Sequence, residues 1–188
     1  MRLFSAVLAS FVACASLARA ESNSSVFSRI DDVRHGAADR LCRAITTAGD
    51  RDNPVVTLRC RPGPDNWPVE MLAADGRTQV TFGKLTDPRS GAIAALGGAF
   101  ADPHNTIEWR LRDGKPIAAI HRYFLDNQRQ ALIVHKLNND RTSCVAAVVA
   151  VERGRDANAE AVKLADTFGP TFQCGRDKLL TVGQVASE

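Results

Sequence analysis

Residues 106–177 constrain the fold more than any other part of this sequence. They hold a run of apolar, extended segments separated by short polar turns, followed by one segment with helical periodicity. Residues 107–112 and 115–125 flank Asp113-Gly114, a dipeptide typical of a two-residue hairpin. Residues 131–137 and 143–151 continue the series, and the second of these is apolar on both faces. Consecutive strands joined by short turns predict an antiparallel meander.

The helical segment that follows has clear boundaries in the sequence. Asp156 is a suitable N-cap, and Gly169-Pro170 is a typical ending. The apolar stripe between them consists of Ala161, Leu164, Ala165 and Phe168. A single helix must bury such a stripe against the sheet, and residues 171–174 are then expected to return as a short strand.

The first half of the chain is less regular. Residues 55–60 predict a strand, and residues 67–73 and 77–82 flank Asp75-Gly76, a second hairpin signal. Residues 37–48 are interpreted as a helical segment, residues 88–96 as a short helix, and residues 21–25 as a frayed end. The predicted fold class is therefore α+β, with a curved antiparallel sheet of hairpins and one C-terminal helix packed on it.

The first twenty residues have the form of a secretory signal peptide. Arg2 supplies the charged start, an apolar run follows, and Ala18-Arg19-Ala20 suits cleavage after Ala20. A lipoprotein signal with a lipidated Cys14 is the alternative. No later stretch is long and apolar enough to be a transmembrane segment. The organisation predicted is a signal peptide at 1–20 and a single domain at 21–188, located in the periplasm or secreted.

Cleavage after Ala20 would remove Cys14 and leave an even number of cysteines, which in an exported chain indicates disulfide bonds. The four are Cys42, Cys60, Cys144 and Cys174. Three connectivities are open, and we favour Cys42–Cys60 with Cys144–Cys174 because each pair belongs to one local unit. A zinc site is the alternative, although no pair has C-x-x-C spacing and no histidine adjoins a cysteine.

Charge and motifs exclude several classes of function. The whole chain has a formal net charge of +3, and removal of Arg2 and Arg19 with the leader lowers it to about +1. Basic residues are interspersed with acidic ones, so no nucleic-acid partner is expected. The sequence contains no phosphate-binding loop, metalloprotease motif or nucleophile elbow. We therefore expect no cofactor, and the chain offers no strong catalytic signature.

Six side chains form the candidate binding surface: Trp67, Glu108, Arg110, His121, Arg122 and His135. His121 and His135 would face each other if residues 126–130 formed a five-residue hairpin loop, and could then share a proton or a metal ion. A four-residue loop would place Val134 opposite His121 instead. Ordinary strand histidines are the simpler interpretation.

The other members of this surface also have structural interpretations. Glu108 and Arg110 share one face of a strand and Trp109 takes the other, which suits a core tryptophan beneath an outward Glu–Arg pair. Trp67 is either a core cap or an exposed ring that stacks on a ligand. His104 near Asp102 has no adjacent nucleophile with which to form a triad.

Several motifs together resemble a group of exported alphaproteobacterial proteins. They are Ile107-Glu-Trp-Arg-Leu111, Gly114-Lys-Pro-Ile-Ala118, Ser143-Cys-Val145, Asp156-Ala-Asn158, Ala165-Asp166, Phe172-Gln-Cys174 with Asp177, Cys42, Leu58-Arg-Cys60 and Val80-Thr-Phe-Gly83. The resemblance covers most of the chain after the leader. It implies an exported compartment and this fold, but no particular activity and no site residues.

Three functional hypotheses follow from the sequence. The first is a non-catalytic periplasmic or secreted envelope protein that binds a protein or small-molecule partner. The second is an inhibitor of a host or rival enzyme such as lysozyme, acting through the exposed loop at residues 61–66. The third is a metal-dependent hydrolase built on His121 and His135.

Overall fold

The structure is a computed structural model that describes residues 22–31, 41–50, 52, 54–87, 90–125 and 128–185. The predicted signal peptide lies outside the described residues, as do residues 37–40 of the expected helical segment. The described residues form eleven strands, two α-helices and a 3-10 turn at Pro64–Asn66. The strands are β1 (Asn23–Arg29), β2 (Cys42–Gly49), β3 (Pro54–Cys60), β4 (Val69–Ala74), β5 (Arg77–Phe82), β6 (Lys84–Leu85), β7 (Ala101–Arg112), β8 (Lys115–Leu125), β9 (Gln130–Leu137), β10 (Thr142–Ala150) and β11 (Leu180–Val182), and the helices are α1 (Ala92–Ala95) and α2 (Ala157–Thr171).

The strands belong to two open sheets. The long sheet has the order β1-β7-β8-β9-β10-β11, with β6 also paired to β10, and the small sheet has the order β2-β3-β4-β5. The meander predicted for β7 to β10 is confirmed. The short strands β6 and β11 were not predicted; both run parallel to β10. The two together cover parts of one edge of β10.

The small sheet packs on one face of the long sheet, and α2 packs on the other. The inter-sheet core contains Trp67, Val69, Met71, Val80, Phe82, Ile107, Trp109, Leu111, Ala119 and Leu137. The core beneath α2 contains Ala118, Ile120, Leu132, Val134, Ala147, Val149, Ala157, Ala161 and Ala165. The central strands β8 to β10 are therefore buried on both faces, which explains why residues 143–150 are all buried apolar or small residues.

Both Asp-Gly dipeptides form the turns that the sequence predicts. Asp75 and Gly76 have φ values of 51° and 66°, and Asp113 and Gly114 have φ values of 49° and 79°. Two successive residues with positive φ are the requirement of a type I′ turn, whose twist matches that of the flanking strands. These turns join β4 to β5 and β7 to β8.

Helix α2 begins as predicted but ends later. The Asp156 carboxylate accepts a hydrogen bond from the Ala159 N–H at 3.0 Å and caps the first turn. The helix then runs through Gly169 and Pro170 to Thr171, so the predicted ending at Gly169 is wrong. Gly169 serves close packing instead: a Cβ at this position would lie 2.9 Å from the Ile117 side chain. The stripe that faces the sheet is formed mainly by small residues, which lets the helix approach β8 and β9 closely.

Both predicted disulfides are present. Cys42 and Cys60 are direct cross-strand neighbours on β2 and β3, and Cys144 on β10 is joined to Cys174 beyond the end of α2. The second bond fixes the excursion that contains α2 to a strand at the centre of the molecule. Each loop closure of this length stabilises the fold by about 3 kcal/mol in the chain-entropy model.

Three other predictions of local structure are wrong. Cys42–Gly49 is a strand and not part of a helix, because its β-branched residues and the disulfide bond favour pairing with β3. Asn23–Arg29 pairs with β7 along its whole length and is not frayed. Residues 171–174 form the end of α2 and a turn, and the returning strand comes later, at β11. In the part of the chain that the structure describes, neither helix has the length and apolar character needed to cross a membrane.

Candidate functional site

The six side chains of the candidate binding surface do not form one surface. His121 and His135 lie between the two sheets, whereas Glu108, Arg110 and Arg122 lie on the α2 face of the long sheet. Trp67 belongs to a third place, the end of the molecule where the chain enters β4. Each group has its own environment.

The two histidines are diagonal neighbours and do not face each other. His121 pairs with Ile133, and His135 pairs with Ala119. Neither of the two registers considered from the sequence occurs, because the turn is tighter than a five- or four-residue loop: Phe124 pairs with Gln130, and the Leu125 N–H donates to the Arg129 carbonyl at 2.9 Å. A two-residue change of pairing keeps both side chains on the same face, since strand side chains alternate with period two.

The environment of the histidines is apolar and closed to solvent. Both are 0% exposed, and the edge of the Phe82 ring contacts them with centroid separations of 4.7 Å to His135 and 6.3 Å to His121. His121 Nε2–H donates to the His104 carbonyl at 2.6 Å, while His121 Nδ1 and both ring nitrogens of His135 contact no hydrogen-bond partner among the described residues. Burial lowers the pKa of His121 to about 4 and that of His135 to about 3.

These histidines are therefore neutral core residues at physiological pH. The described residues include no group of three or more His, Cys, Asp or Glu side chains arranged to hold a metal ion. The facing, accessible pair that a metal-dependent hydrolase would need is absent from this site. Tyr123, beside His121, has a clear structural role: its hydroxyl accepts a hydrogen bond from the Val80 N–H at 2.9 Å and ties the two sheets together.

Arg110 is the centre of a buried polar network on the opposite face. Its guanidinium donates to both carboxylate oxygens of Asp166 on α2, at 2.8 Å and 2.7 Å, and to the Ser25 hydroxyl at 2.6 Å. The Ser25 hydroxyl in turn contacts the Glu108 carboxylate. Glu108 and Arg110 thus share a face, as the sequence indicates, but Ser25 joins them and Asp166 satisfies the arginine. Trp109 takes the other face and is fully buried, also as expected.

Arg122 and Lys136 complete the polar contacts beneath and beside α2. Arg122 donates to Gln130 at 2.7 Å and to Asn158 at 2.9 Å, and the Lys136 ammonium contacts the Gly169 carbonyl near the end of the helix. Burial lowers the pKa of both side chains. The contacts of Arg122 with Asn158 and of Lys136 with Gly169 dock α2 on the sheet. The contact of Arg122 with Gln130 joins β8 to β9.

Trp67 is a core cap and not an exposed stacking residue. Its ring is 3% exposed, and the Arg141 guanidinium covers it with 5.1 Å between the guanidinium carbon and the ring centroid. Trp67 lies near the end of loop 61–68, which we define as the segment from Arg61 to Pro68 and which contains three prolines. Proline fixes φ, so three of the eight residues of this loop have little backbone freedom.

Loop 61–68 is held in place by contacts at both ends and at its tip. The Gly63 N–H donates to the Trp67 carbonyl at 2.9 Å, and Arg141 donates to the Asp65 carbonyl and carboxylate at 2.8 Å and 3.0 Å. Gly63 rests on Trp109, where a Cβ would lie 2.1 Å from the ring. The side chains at the tip of the loop, Asp65 and Asn66, are by contrast exposed to solvent.

A groove of about 740 Å³ opens beside this loop, and we call it the end groove. It lies between the ends of β3 and β4, the β5–β6 junction and the turn before β10. Its lining residues are Arg59, Cys60, Pro62, Asn66, Pro68, Val69, Glu70, Gly83, Lys84, Asp140, Arg141 and Thr142. The exposed Pro62 and Pro68 supply apolar surface, and charged and polar side chains lie around them.

The charges of the end groove are partly paired. Arg59 contacts Glu70 at 2.9 Å, and Arg141 contacts Asp65 at 3.0 Å. Asp140 accepts hydrogen bonds from the hydroxyl and backbone N–H of Thr142, which lower the pKa of its carboxyl. Lys84 is exposed, and its ammonium group contacts no hydrogen-bond or ion-pair partner among the described residues.

Sequence reasoning found only one wall of this groove. The Pro-Gly-Pro segment identified the loop, but Lys84, Asp140 and Arg141 come from distant parts of the chain. Gly83 carried a usable signal, because it has φ 65° and a Cβ there would lie 2.1 Å from the Arg141 carbonyl oxygen. Such a glycine marks a place where two backbone segments approach closely. The sequence does not show which other segment approaches Gly83.

Comparison with known proteins gives no family for this chain. No protein-family model matches it, and no curated protein and no solved structure is significantly similar to it. What can be concluded about function therefore depends on the geometry described above.

Proposed function

We propose that this chain is a non-catalytic, exported binding protein of the cell envelope, and that it binds its partner at the end groove and loop 61–68. The observation that carries the proposal is the preorganised loop beside an open, mixed apolar and charged groove. A rigid recognition element lowers the entropic cost of association.

The compartment is supported by two features. The two disulfides suit an oxidising environment, and the first twenty residues have the composition of a signal peptide. The resemblance to exported alphaproteobacterial proteins agrees with both. Mass spectrometry of the protein recovered from the periplasm tests the compartment directly, because cleavage after Ala20 would leave Glu21 as the first residue.

Site-specific photo-crosslinking in the cell envelope tests the binding proposal. A photoreactive amino acid replaces Pro62, which is exposed and lines the end groove, or Lys163, which is exposed on α2. We expect a discrete crosslinked product from position 62 and none of the same mass from position 163. Identical products from the two positions, or none from position 62, would contradict the proposal.

A second candidate function is inhibition of a host or rival enzyme such as lysozyme. The observation that favours it is again loop 61–68, an exposed and conformationally fixed segment of the kind that inserts into a cleft. A muramidase assay with the purified protein decides this question. No effect on lysozymes of several types would eliminate the candidate and leave the first proposal standing.

A further inference from the structure

We infer that the partner of the end groove is an extended protein segment rich in acidic residues. This inference rests on the proposed function, because it names the chemistry of what the groove binds. It is carried by the distribution of charge around loop 61–68, where exposed cations exceed accessible carboxylates.

Three exposed cations surround the loop, and each lines a different concavity. Lys84 lines the end groove; Lys115 lines a cavity of about 200 Å³ that shares Arg141 with it; Arg61 lines one of about 560 Å³ that shares Pro62. The side chains of these three residues contact no hydrogen-bond or ion-pair partner in the described part of the chain. Their charge is therefore available to a ligand.

The carboxylates near the loop are mostly engaged. Asp65 is paired with Arg141, and Glu70 is paired with Arg59. Asp140 accepts two hydrogen bonds from Thr142, which leaves it as the one lining carboxylate without a cationic partner among the described residues of these three concavities. The end of the molecule thus presents net positive charge, although the chain as a whole carries only +3.

The shape of the surface favours a peptide over other anions. Alternate side chains of an extended peptide recur at about 7 Å, so such a peptide can present successive acidic residues along adjoining concavities. The exposed Pro62 and Pro68 offer apolar contact to the intervening side chains, and the exposed Asn66 side chain offers hydrogen bonds to a peptide backbone. Among the described residues, no exposed aromatic ring lines the groove to stack on a sugar, since Trp67 is buried beneath Arg141.

Fluorescence anisotropy with defined peptides tests the inference. The probe is a short labelled peptide in which Glu alternates with Val, and the matched control has Lys in place of Glu. With the purified, disulfide-bonded protein we expect binding of the Glu peptide only, weakened at least about tenfold between 0.1 M and 1 M salt because the Debye length falls from about 10 Å to 3 Å.

Charge reversal locates the binding. The variant Arg61→Glu/Lys84→Glu/Lys115→Glu should lose affinity for the Glu peptide by about tenfold or more. The control Arg153→Glu/Lys163→Glu/Lys178→Glu reverses three exposed cations on another part of the surface and should change it by less than about twofold. We expect both variants to fold, since none of the six side chains contacts a described hydrogen-bond or ion-pair partner. Circular dichroism and urea unfolding check this expectation.

Two results would overturn the inference. The first is absence of binding to the Glu peptide at 0.1 M salt, or equal losses in the two triple variants. The second is equal or tighter binding of an anionic glycan such as an oligogalacturonate, which would assign the groove to carbohydrate. Either result leaves the crosslink at position 62 as an independent test, so failure of the partner chemistry and failure of the binding function are distinguishable.

Discussion

On the α2 face of the long sheet, Arg110 is buried with two carboxylate hydrogen bonds and a hydroxyl; on the opposite face, His135 is buried with none from any described residue. The first face retains an ionised pair because Asp166 arrives on the helix that covers it. The second face keeps a titratable side chain neutral, because burial and the neighbouring His121 lower its pKa and no described residue offers it a hydrogen bond. Two polar side chains of the same sheet, on β7 and β9, therefore lie in opposite electrostatic environments, because a different layer covers each.

Lowering the pH should change the free energy of unfolding more than any of the substitutions below. The folded-state pKa values of His121 and His135 are about 4 and 3, against 6.5 in an unfolded chain. Between these values the unfolded state binds protons that the folded state does not, so the free energy of unfolding falls as pH falls from about 6.5 to 4. We expect a loss of about 5 kcal/mol over this window, at about 1.4 kcal/mol per pKa unit. Urea unfolding at a series of pH values measures it.

The variant His135→Leu provides the control for the acid experiment. It should remove roughly half of the loss between pH 6.5 and 4, because one of the two proton-binding groups is gone. An unchanged pH dependence in this variant would show that carboxylates, and not the buried histidines, dominate acid unfolding.

Breaking the ion pair on the α2 face should have the next largest effect. Asp166→Ala leaves the Arg110 guanidinium buried without its carboxylate and should lower the free energy of unfolding by about 3 kcal/mol. The matched control is Glu70→Ala, which breaks the solvent-exposed Arg59 pair and should lower it by less than about 1 kcal/mol. Equal effects of the two substitutions would mean that the network under α2 contributes no more than a surface ion pair. Denaturant titration at pH 7 compares them.

The fit of loop 61–68 on the inter-sheet face should show a smaller, steric effect. Gly63→Ala adds a methyl group where Trp109 already lies, and we expect a loss of about 2 kcal/mol, as for overpacking in a core. Gly91→Ala is the control: it also has negative φ, but its nearest neighbour is the flexible end of Gln79, so we expect less than about 1 kcal/mol. Thermal unfolding monitored by tryptophan fluorescence distinguishes them. A loss no greater than that of the control would show that the loop moves freely away from Trp109.

The smallest effect expected is a gain. At pH 7, His135→Leu replaces two buried nitrogens that lack described partners by an aliphatic group of similar volume and should stabilise the protein by about 1 kcal/mol. Urea unfolding at pH 7 measures the change. Destabilisation by more than about 1 kcal/mol would indicate that His135 makes a polar interaction that stabilises the inter-sheet core.

Local sequence patterns predict those parts of this protein that depend on near neighbours in the chain. The Asp-Gly turns, the meander from β7 to β10 and the N-cap at Asp156 follow from residues close together in the chain. The positions of the cysteines favoured the observed disulfide pairing but left three connectivities open, since Cys144 and Cys174 are 30 residues apart. Turn chemistry and periodicity act over a few residues, so such features can be predicted from the sequence alone.

The way in which these parts combine depends on tertiary contacts. The split into two sheets, the side-chain register of His121 and His135, and the meeting of Arg110 with Asp166 depend on contacts between distant residues. The end groove is the clearest case, since Arg59, Lys84 and Arg141 come from three separate segments. No local pattern encodes which buried face a strand residue will share with a helix or a second sheet, because that choice is made by packing the layers and satisfying their polar groups together.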